Sequence, residues 1–435
     1  MAKKTKDSNL SIEERLEQAL IPNWDEPYKL PSNWCWVNLG SLGALGMGQT
    51  ILRKDLKENG IPVYSATEED KFFGYISSND NTIKLCNGDI VIPARGSIGH
   101  VKYISCDEAS CTQTTMFFKP FDKAIGKCVY YYMLGNKDKL FAYHGNAIPQ
   151  ITITNITKKG IPIPPLKEQQ RIVKQIETLF AKLDEAKEKA QEVIDGFEAR
   201  KAAILHKAFS GELTQKWRDE NDIASSYATK RFDEVAIIKS NLVDPAEYQN
   251  YPHIAPDNIE KKTGVLLEYR TIAEDNVKSG KHRFYPGQIL YSKIRPNLSK
   301  VVVVDFDGLC SADMYPIEAI GDTKCLWYYM LSENFLEQAS SAGSRSVLPK
   351  INQKELSALT VTIPDSIEEQ KELSRLIDSL LTKEYQVKES AENVVDQIDT
   401  MKKAILARAF RGELGTNDPN EESAVELLKR ILESK

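Results

Sequence analysis

The sequence of 435 residues has no long hydrophobic run, no closely paired cysteines and no clustered histidines. No segment approaches the roughly 20 apolar residues of a membrane-spanning helix, and the N-terminus lacks the apolar core of a signal peptide, so we expect a cytoplasmic protein without membrane contact. The seven cysteines include no C-x-x-C pair. This pattern favours reduced, structural thiols over a disulfide framework or a zinc site, and no bound metal is expected.

Sequence signatures of catalysis are also missing. The chain has no Asn-Pro-Pro-aromatic loop, with which an adenine methyltransferase holds a flipped base, and no G-x-x-x-x-G-K-[ST] phosphate loop. The glycine-rich run from Gly40 to Gly48 lacks the G-x-G-x-x-G spacing of a dinucleotide site and is more typical of a flexible turn. No Ser-His-Asp set stands out either. We therefore expect a non-catalytic chain that binds no cofactor of its own.

Neither sign of charge dominates the globular parts of the chain. The net charge is −5 at pH 7, and most of the acidic excess falls after residue 365. Any affinity for nucleic acid must therefore come from local basic clusters, and a partner would supply part of the grip on phosphates.

The chain contains an internal duplication. KAAILHKAFSGEL (Lys201 to Leu213) matches KKAILARAFRGEL (Lys402 to Leu414), and IPIPPLKEQQRI (Ile161 to Ile172) matches VTIPDSIEEQKEL (Val361 to Leu373). Three weaker pairs keep the same order: NGDIVIPAR with PGQILYSKIR, YYYML with WYYML, and GNAIPQITITNI with GSRSVLPKINQKEL. Five ordered matches about 200 residues apart predict two copies of one unit, with similar helical ends and diverged globular parts.

The globular parts are predicted to mix strands and helices. IVIPARG and GQILYSK are typical of short buried strands after glycine turns, and VVVVDF (Val301 to Phe306) and TITNI (Thr152 to Ile156) are predicted as further strands. KCVYYYMLG and KCLWYYMLS are predicted as short helices. Their aromatic stripe is more typical of a core than of a base-stacking surface.

Each globular part should be followed by a long helix. The first is expected from Leu166 to Phe209, with Gly211 as its C-terminal stop. The second should open on a capping box made by Ser366 and Glu369 and close before Gly412.

The apolar residues of both helices recur at alternating steps of four and three, which is a coiled-coil pattern. Each helix could pack on its own globular domain, but a rod of about 66 Å is too long for one small domain to cover. We therefore expect the two helices to pair with each other, antiparallel. The predicted pairing residues are Ile172, Ile176, Leu179, Leu183, Val193, Phe197, Leu373, Ile377, Leu380, Val387, Val394 and Ile398.

With these features, the sequence resembles the specificity subunit of type I restriction–modification systems from about Leu30 to the C-terminus. The motifs are an initial LPSNWCWVNLGSLG, a G-D-I-V strand, a Gly-x-x-x-x-Pro stretch, an I-P-x-P-P-x-x-E-Q helix start and an A-x-x-x-G-E-L helix end. The second half departs from the pattern, because Asp365 replaces the second proline and no W-x-W motif precedes Phe232.

The resemblance implies two target-recognition domains, each recognising one half of a bipartite, asymmetric sequence in double-stranded DNA. It implies that the helices fix the separation of the domains and dock two methyltransferase subunits, and that motor–nuclease (restriction) subunits join the complex. S-adenosylmethionine, ATP and Mg would then be bound by those partners. The helix length would place the two half-sites roughly one DNA turn apart, centre to centre.

The predicted fold class is α+β: two mixed α/β target-recognition domains separated by two long antiparallel coiled-coil helices, with a pseudo-two-fold internal repeat. The predicted segments are an N-terminal helical extension at 1–24, domain 1 at 25–165, spacer helix 1 at 166–213, a linker at 214–227, domain 2 at 228–364, spacer helix 2 at 365–414 and an acidic tail helix at 415–435.

Candidate DNA contacts are polar and basic side chains next to glycine turns, since loops on a rigid frame usually carry such contacts. Each residue alone could equally be an ordinary solvated surface residue. In domain 1 the candidates are Gln49, Thr50, Arg53, Lys54, Arg95, Ser97, His100, Lys102, Gln113, Thr114, His144, Asn146 and Gln150. In domain 2 they are Lys281, His282, Arg283, Lys293, Arg295, Asn297, Ser299, Lys300, Ser344, Arg345 and Lys350.

Two other functions remain open from the sequence. The chain could be the specificity chain of a system in which methylation and cleavage share one fused partner polypeptide. It could also be an interaction scaffold, without DNA, whose coiled coil joins two binding domains. Basic clusters at matching loops in both halves favour DNA recognition over the scaffold.

Overall fold

The computed structural model describes residues 10–22, 26–68, 71–77, 82–141, 151–224, 227–343 and 349–434. The chain forms two compact units. Unit 1 contains Met1–Lys189 and Val394–Lys435, and unit 2 contains Ala190–Asn393. Each unit therefore combines one globular part with a portion of both long helices.

Unit 1 mixes short strands with helices, as predicted. Its strands are β1 (Cys35–Asn38), β2 (Gly43–Met47), β3 (Ile61–Tyr64), β4 (Gly74–Ile76), β5 (Ile90–Pro93), β6 (Lys102–Tyr103), β7 (Ser110–Cys111), β8 (Thr115–Pro120) and β9 (Gly160–Ile163). Its short helices are α1 (Ile12–Ala19), α2 (Leu39–Leu42), α3 (Gly126–Gly135), α4 (Lys137–Leu140) and α5 (Ile153–Thr157), followed by the long helix α6 (Leu166–Asp195).

Unit 2 repeats this order with additions. Its helices are α7 (Phe197–Phe209), α8 (Gln215–Glu220), α9 (Phe232–Val235), α10 (Thr323–Met330), α11 (Glu333–Ala342) and α12 (Gln353–Ser357). Its strands are β10 (Tyr227–Arg231), β11 (Ala236–Ile238), β12 (Leu242–Val243), β13 (Pro252–Ile254), β14 (Arg270–Thr271), β15 (Lys281–Phe284), β16 (Ile289–Ser292), β17 (Val301–Val303), β18 (Gly308–Cys310), β19 (Met314–Ala319) and β20 (Thr360–Pro364). The long helix α13 (Ile367–Ala409) and α14 (Ala424–Glu433) complete the chain.

The strand pairings show that the duplication is structural. Unit 1 has the sheet β2-β8-β5-β6, and unit 2 has β11-β19-β16-β17 in the same order. In both units an antiparallel pair (β1 with β9, β10 with β20) leads into the long helix. The second sheets also share a parallel pair, β3 with β7 and β13 with β18, although unit 2 adds β12 and β15 beside it.

Two local predictions in unit 1 were wrong. TITNI is not a strand, because the Thr152 hydroxyl accepts a hydrogen bond from the amide of Asn155 and caps helix α5. The glycine-rich run is not a loose turn but forms α2 and β2. A Cβ atom at Gly46 would overlap the ring of Phe117 on the paired strand β8, so this glycine permits close packing rather than flexibility.

Both long helices form where the sequence predicts them. The first is α6 followed by α7, with a single turn residue, Gly196, between them, and the second is the 43-residue α13. Gly211 and Gly412 follow the helix ends with φ of 86° and 72°, the left-handed backbone typical of a helix stop.

The capping-box prediction was half right. Ser366 accepts a hydrogen bond from the Glu369 amide at 3.3 Å. The Glu369 carboxylate, however, is fully buried and accepts hydrogen bonds from Thr214 and Arg218 at 2.7 Å each, so it does not turn back to Ser366. A buried carboxylate needs such partners more than the helix end needs a second cap.

The matching glutamate of unit 1 is held in a similar way. Glu168, also fully buried, accepts hydrogen bonds from Trp34 Nε1 at 2.8 Å and from Thr416 at 3.3 Å. Burial raises the pKa of this carboxyl, and the two hydrogen bonds act against that rise. In each unit, then, the start of one long helix is joined to the chain just beyond the end of the other.

The long helices pack antiparallel within each unit. In unit 1, Asp184 pairs with Lys402 at 2.5 Å, and Arg171 pairs with Glu421 further along. In unit 2, Arg200 pairs with Glu384 at 2.7 Å, whereas Phe197 lies under the ammonium of Lys388. In each unit, residues later in the first long helix contact residues earlier in the second half of the chain, which is the order expected for an antiparallel arrangement. The α+β fold with a repeated unit and paired helices is thus confirmed.

The predicted pairing residues are only partly on the packed face. Ile172, Ile176, Phe197, Leu373, Ile377 and Ile398 are buried, and Leu179, Leu183, Val193 and Leu380 are half-buried. Val387 and Val394, at 49% and 43% exposure, were assigned wrongly. Phe197 contacts Tyr385 and Lys388, and Arg200 forms an ion pair with Glu384. The face of α13 that packs on the first long helix therefore contains these three residues and not Val387.

The C-terminal segment packs into unit 1. Leu428 and Ile431 of α14 are buried in the main core of that unit, together with Phe118 and Trp36. The amide of Ala424 donates to the carbonyl of Asn33 at 2.9 Å. The predicted acidic tail helix therefore contributes an apolar face to domain 1.

The seven cysteines are free thiols, and five of them are buried. Burial raises the pKa of Cys111 to about 11, so this thiol stays protonated at neutral pH. Among the described residues, no helix is long and apolar enough to cross a membrane.

Candidate nucleic-acid interface

The candidate site of unit 1 is built around the loop between β5 and β6, which begins at Ala94. The amides of Ala94 and Arg95 both donate to the carbonyl of Thr114, at 3.0 and 3.3 Å, and the amide of Ile151 donates to the carbonyl of Ala94. These bonds fix the backbone, whereas the Arg95 side chain is exposed.

A second pair of predicted residues joins this loop. The amide of Gln49 donates to Cys111 O at 3.0 Å, and the Thr50 hydroxyl donates to Gln113 Oε1 at 2.7 Å. The structure therefore brings five predicted residues into one place, which we call the unit 1 cluster: Gln49, Thr50, Arg95, Gln113 and Thr114.

Sequence reasoning missed a neighbouring surface, which we call the basic–aromatic patch. Arg53 and Lys71, with Phe72 and Phe73, line an open cavity of about 540 Å³. The two phenyl rings are 42% and 37% exposed, and Phe72 contacts Tyr64 at a ring distance of 5.1 Å. The adjacent aromatic and basic letters KFF in the sequence were the signal for this surface.

The patch is continuous with the loop that follows β5. Lys102 donates from Nζ to the Thr67 hydroxyl at 3.1 Å, and His100 lies 3.7 Å from Glu68. Lys102 is only 7% exposed, so its predicted direct DNA contact does not fit this structure. Ser97 is half-buried in the same loop, and Lys54 is exposed beside Arg53.

Unit 2 presents an equivalent loop between β16 and β17. The amide of Lys293 donates to Asp313 O at 3.0 Å, and the amide of Ile351 donates to Lys293 O at 2.9 Å. These are the bonds made by Ala94 and Ile151 in unit 1, so the KIRPNLSK loop stands at the same place in the repeat. The side chains differ between the two loops although the backbone frame is the same.

The unit 2 loop is more basic than its counterpart. Lys350 pairs with Asp313 at 3.2 Å, and the ammonium of Lys293 lies 5.1 Å from the centre of the Tyr315 ring. Burial lowers the pKa of Lys293, and Lys350 nearby lowers it further, while Asp313 opposes the shift. Asp313, missed in the sequence, forms the ion pair with Lys350, whereas Lys293 Nζ donates to the carbonyl of Ala312.

Several predicted residues of unit 2 are buried. Lys281, His282 and Ser299 are 7%, 4% and 3% exposed, so they do not offer a surface to DNA in this structure. Burial, and then the charge of Lys293, lowers the pKa of His282, which keeps its imidazole neutral at pH 7. Lys281 and His282 lie in β15, an inner strand of its sheet, and both of its faces are covered at these two neighbouring positions.

The other basic residues of unit 2 divide into bound and exposed groups. Lys300 donates to Pro256 O at 2.7 Å, and the Arg283 guanidinium lies within 5.8 Å of the ring centres of Tyr248, Tyr251 and Tyr285. The exposed residues of the loop are Arg295 and Asn297. Five candidates lie outside the described residues: His144, Asn146, Gln150, Ser344 and Arg345.

Arg295 has a left-handed backbone, with φ of 49°. This conformation is rare for a residue with a side chain and recurs at functional sites, where the surrounding structure holds it. Here the amide of Arg295 donates to Pro349 O at 2.8 Å, and its carbonyl accepts from the Leu298 amide. Together, the units present two unlike polar surfaces on one backbone frame, which defines a protein with two distinct recognition surfaces.

Comparison with known proteins gives the family. The model of the type I restriction modification DNA specificity domain matches twice, at residues 31–194 and 225–395. The chain is 34% identical over 434 residues to the type I restriction enzyme EcoDI specificity subunit of Escherichia coli, covering 93% of this chain and 95% of that protein. It is 22% identical over 457 residues to the EcoKI specificity subunit of Escherichia coli strain K12, with 93% and 96% covered.

A solved structure has the same fold. The HsdS subunit from Thermoanaerobacter tengcongensis superposes with a TM-score of 0.61 at 17% identity, over 90% of this chain and 100% of that chain. The protein belongs to the type I restriction–modification DNA specificity subunits. The resemblance noted in the sequence and the predicted role in DNA target recognition are confirmed.

Proposed function

We propose that each unit recognises one half of a bipartite, asymmetric DNA site. The single observation that carries this proposal is the repeated pair of backbone hydrogen bonds, Ala94 with Thr114 and Lys293 with Asp313, which holds two loops of different side chains on the same frame. Recognition of two different DNA sequences requires different side chains, because side chains distinguish the bases. The same backbone frame in both units can serve because the backbone only positions these side chains on the DNA.

We further propose that the chain is non-catalytic and works within a larger complex. The paired long helices would fix the spacing of the half-sites and dock two methyltransferase subunits, with motor–nuclease subunits joining them. S-adenosylmethionine, ATP and Mg²⁺ would be bound by those partners. Identification of the proteins that co-purify with this chain would show whether methylation and cleavage belong to separate subunits or to one fused polypeptide.

Loss of Arg295 should weaken recognition of one half-site. In the assembled complex, Arg295→Ala is expected to reduce affinity for DNA by about 1–3 kcal/mol, because an exposed arginine on a fixed loop can contact a guanine or a phosphate. Arg95→Ala should do the same for the other half-site. The measurement is DNA binding by the complex to duplexes in which one half-site at a time is mutated.

The matched control is Arg231→Ala, an exposed arginine of unit 2 that pairs with Asp233 away from the loop. It should leave DNA affinity unchanged. If both loop variants bound every duplex like the wild type, the two loops would not be the recognition surface. If both variants affected the same half-site, the assignment of one half-site to each unit would be wrong.

The basic–aromatic patch should contribute to the half-site of unit 1. Exposed phenyl rings beside cations are a means of stacking on or wedging between bases, and removal of one such stacking ring costs about 1–3 kcal/mol. Phe72→Ala is therefore expected to weaken DNA binding by the complex by that amount, whereas Phe72→Tyr should retain most of it. Tyr269→Ala, which removes a 41% exposed ring of unit 2, is the control and should have no effect.

A further inference from the structure

A cavity of unit 2 lies beside the loop between β16 and β17, and exposed Asn297 of that loop is at its edge. Its volume is about 690 Å³, and it lies between helix α7 and the loop residues Asn297 to Ser299. Leu205, Leu331 and Leu336 form the apolar part of its wall. The charged part is made of three lysines and two glutamates: Lys201, Lys261, Lys262, Glu198 and Glu333. Volumes of about 300–1,000 Å³ are typical of small-molecule sites.

Lys201 brings a charge to this cavity. The side chain is 4% exposed, and its Nζ donates to the Lys262 carbonyl at 2.5 Å. In the part of the chain that the structure describes, no carboxylate forms an ion pair with it. Burial lowers the pKa of this ammonium, while Glu198 and Glu260 oppose the shift from a distance. A buried charge without a counter-charge is unfavourable and calls for an anion.

Ser299 gives a second, independent sign of a ligand. It lines the same cavity, is 3% exposed, and its hydroxyl has no hydrogen-bond partner within the described chain. Its position is fixed, because its amide donates to Pro296 O and its carbonyl accepts from the Lys262 amide at 3.3 Å. Buried hydroxyls are nearly always hydrogen-bonded, so this one is available to a ligand group in the cavity.

The duplication supplies an internal comparison. Lys201 matches Lys402 in the repeated KAAIL and KKAIL segments. In unit 1, Lys402 pairs with the carboxylate of Asp184 at 2.5 Å. Asp184 corresponds to Tyr385 in unit 2, which offers no carboxylate. The same lysine thus has a counter-charge from the chain in one unit and none in the other, where a cavity is found instead.

We propose that this cavity binds a small organic anion, with a phosphate or carboxylate group between Lys201 and Ser299 and an apolar body against the leucine wall. A lysine that only filled the core would need neither the open volume nor the unpartnered hydroxyl beside it. A DNA phosphate fits less well, because Lys201 is buried within the cavity rather than displayed on the surface. The site is additional to DNA recognition.

The test is calorimetric titration of the full chain in its complex with three probes: inorganic phosphate, adenosine 5′-monophosphate and hexanoate. We expect adenosine 5′-monophosphate or hexanoate to bind at least about 10-fold more tightly than inorganic phosphate, because only these two probes have a body for the leucine wall. Lys201→Gln and Ser299→Ala should each weaken that binding at least about 10-fold. Slower amide exchange at residues 297–300 with the probe bound would place it in the cavity.

Lys402→Gln, at the matching position of unit 1, is the control and should bind the probes like the wild type. Ser299→Ala removes one hydroxyl, so it keeps the test valid if Lys201→Gln fails to fold. Absence of binding by all three probes would overturn the proposal, and so would equal binding by wild type and both unit 2 variants. If only duplex DNA displaced the probes, and if Lys201→Gln no longer bound DNA, the cavity would be a DNA-binding site and the proposal would be overturned. DNA binding by the wild-type complex is measured in the same experiment. If the wild type binds DNA but none of the probes, the anion site is disproved while the proposed DNA recognition stands.

Discussion

Arg218→Ala is expected to lower the free energy of unfolding of unit 2 by about 3–5 kcal/mol, because it leaves the Glu369 carboxylate buried without a counter-charge. Glu369 is fully buried, and the Arg218 side chain is 10% exposed. Their ion pair measures 2.7 Å, and Thr214 donates to the same carboxylate oxygen. Removal of one partner therefore costs far more than loss of a surface pair.

The measurement is urea unfolding with amide exchange resolved over the start of α13 and over strand β10. Loss of protection should appear there first, because Arg218 also donates to Gly211 O at 2.8 Å and so ties the end of α7 to the start of α13. Unfolding of the two units need not be one transition, so the effect is read for unit 2 separately.

Two further variants make this prediction specific. The double variant Arg218→Met with Glu369→Leu should be less destabilised than Arg218→Ala alone, because it removes both charges. Arg231→Ala breaks an ion pair with Asp233 whose side chains are 56% and 42% exposed, and it should cost less than about 1 kcal/mol. If Arg218→Ala cost no more than Arg231→Ala, the carboxylate would not be desolvated as the structure indicates.

Ile398→Ala is the second large effect, expected at about 2–5 kcal/mol for a buried aliphatic side chain. Ile398 is 1% exposed. Val394, four residues earlier on the same helix, is 43% exposed, and Val394→Ala should change the free energy of unfolding by less than about 0.5 kcal/mol. Urea unfolding of the two variants compares the two faces of α13 directly.

This pair of variants tests the corrected helix register. The heptad pattern alone places both residues on the pairing face, so it predicts similar costs for the two substitutions. A large loss from Val394→Ala would restore the register taken from the sequence. A negligible loss from Ile398→Ala would contradict both that register and the burial seen here.

Prediction from the sequence succeeded where the signal is local or repeated. The limits of the long helices follow from Leu166 after two prolines and from Gly211 and Gly412, whose backbone the helix stop requires. Strands β5 and β16 follow from apolar runs after glycine turns, and β17 follows from the β-branched run VVVVDF. The TITNI segment failed because one hydrogen bond from Asn155 to Thr152 outweighs the preference of its β-branched residues for strand.

The candidate site was predicted as groups of loops rather than as single residues. Arg95, Gln113 and Thr50 converge as expected because each follows a strand of the same sheet or of its neighbour. Lys102 and Lys281 did not fit, since both lie within strands rather than loops and their side chains are buried. Asp313 and the basic–aromatic patch carried only weak sequence signals.

By itself, the sequence determined that this protein is a duplicated unit with two long helices, that its helical ends are similar and that its globular parts differ. Periodicity and repetition are properties of the chain in order, so no contact between distant residues is needed to see them. Only the tertiary structure decided which face of α13 packs and that Lys201 lacks the carboxylate that Lys402 has. It also decided that Glu168 and Glu369 are each bound by residues just beyond the end of the other long helix. Those outcomes depend on which side chains meet across the fold, and burial then sets the energetic weight of each charge.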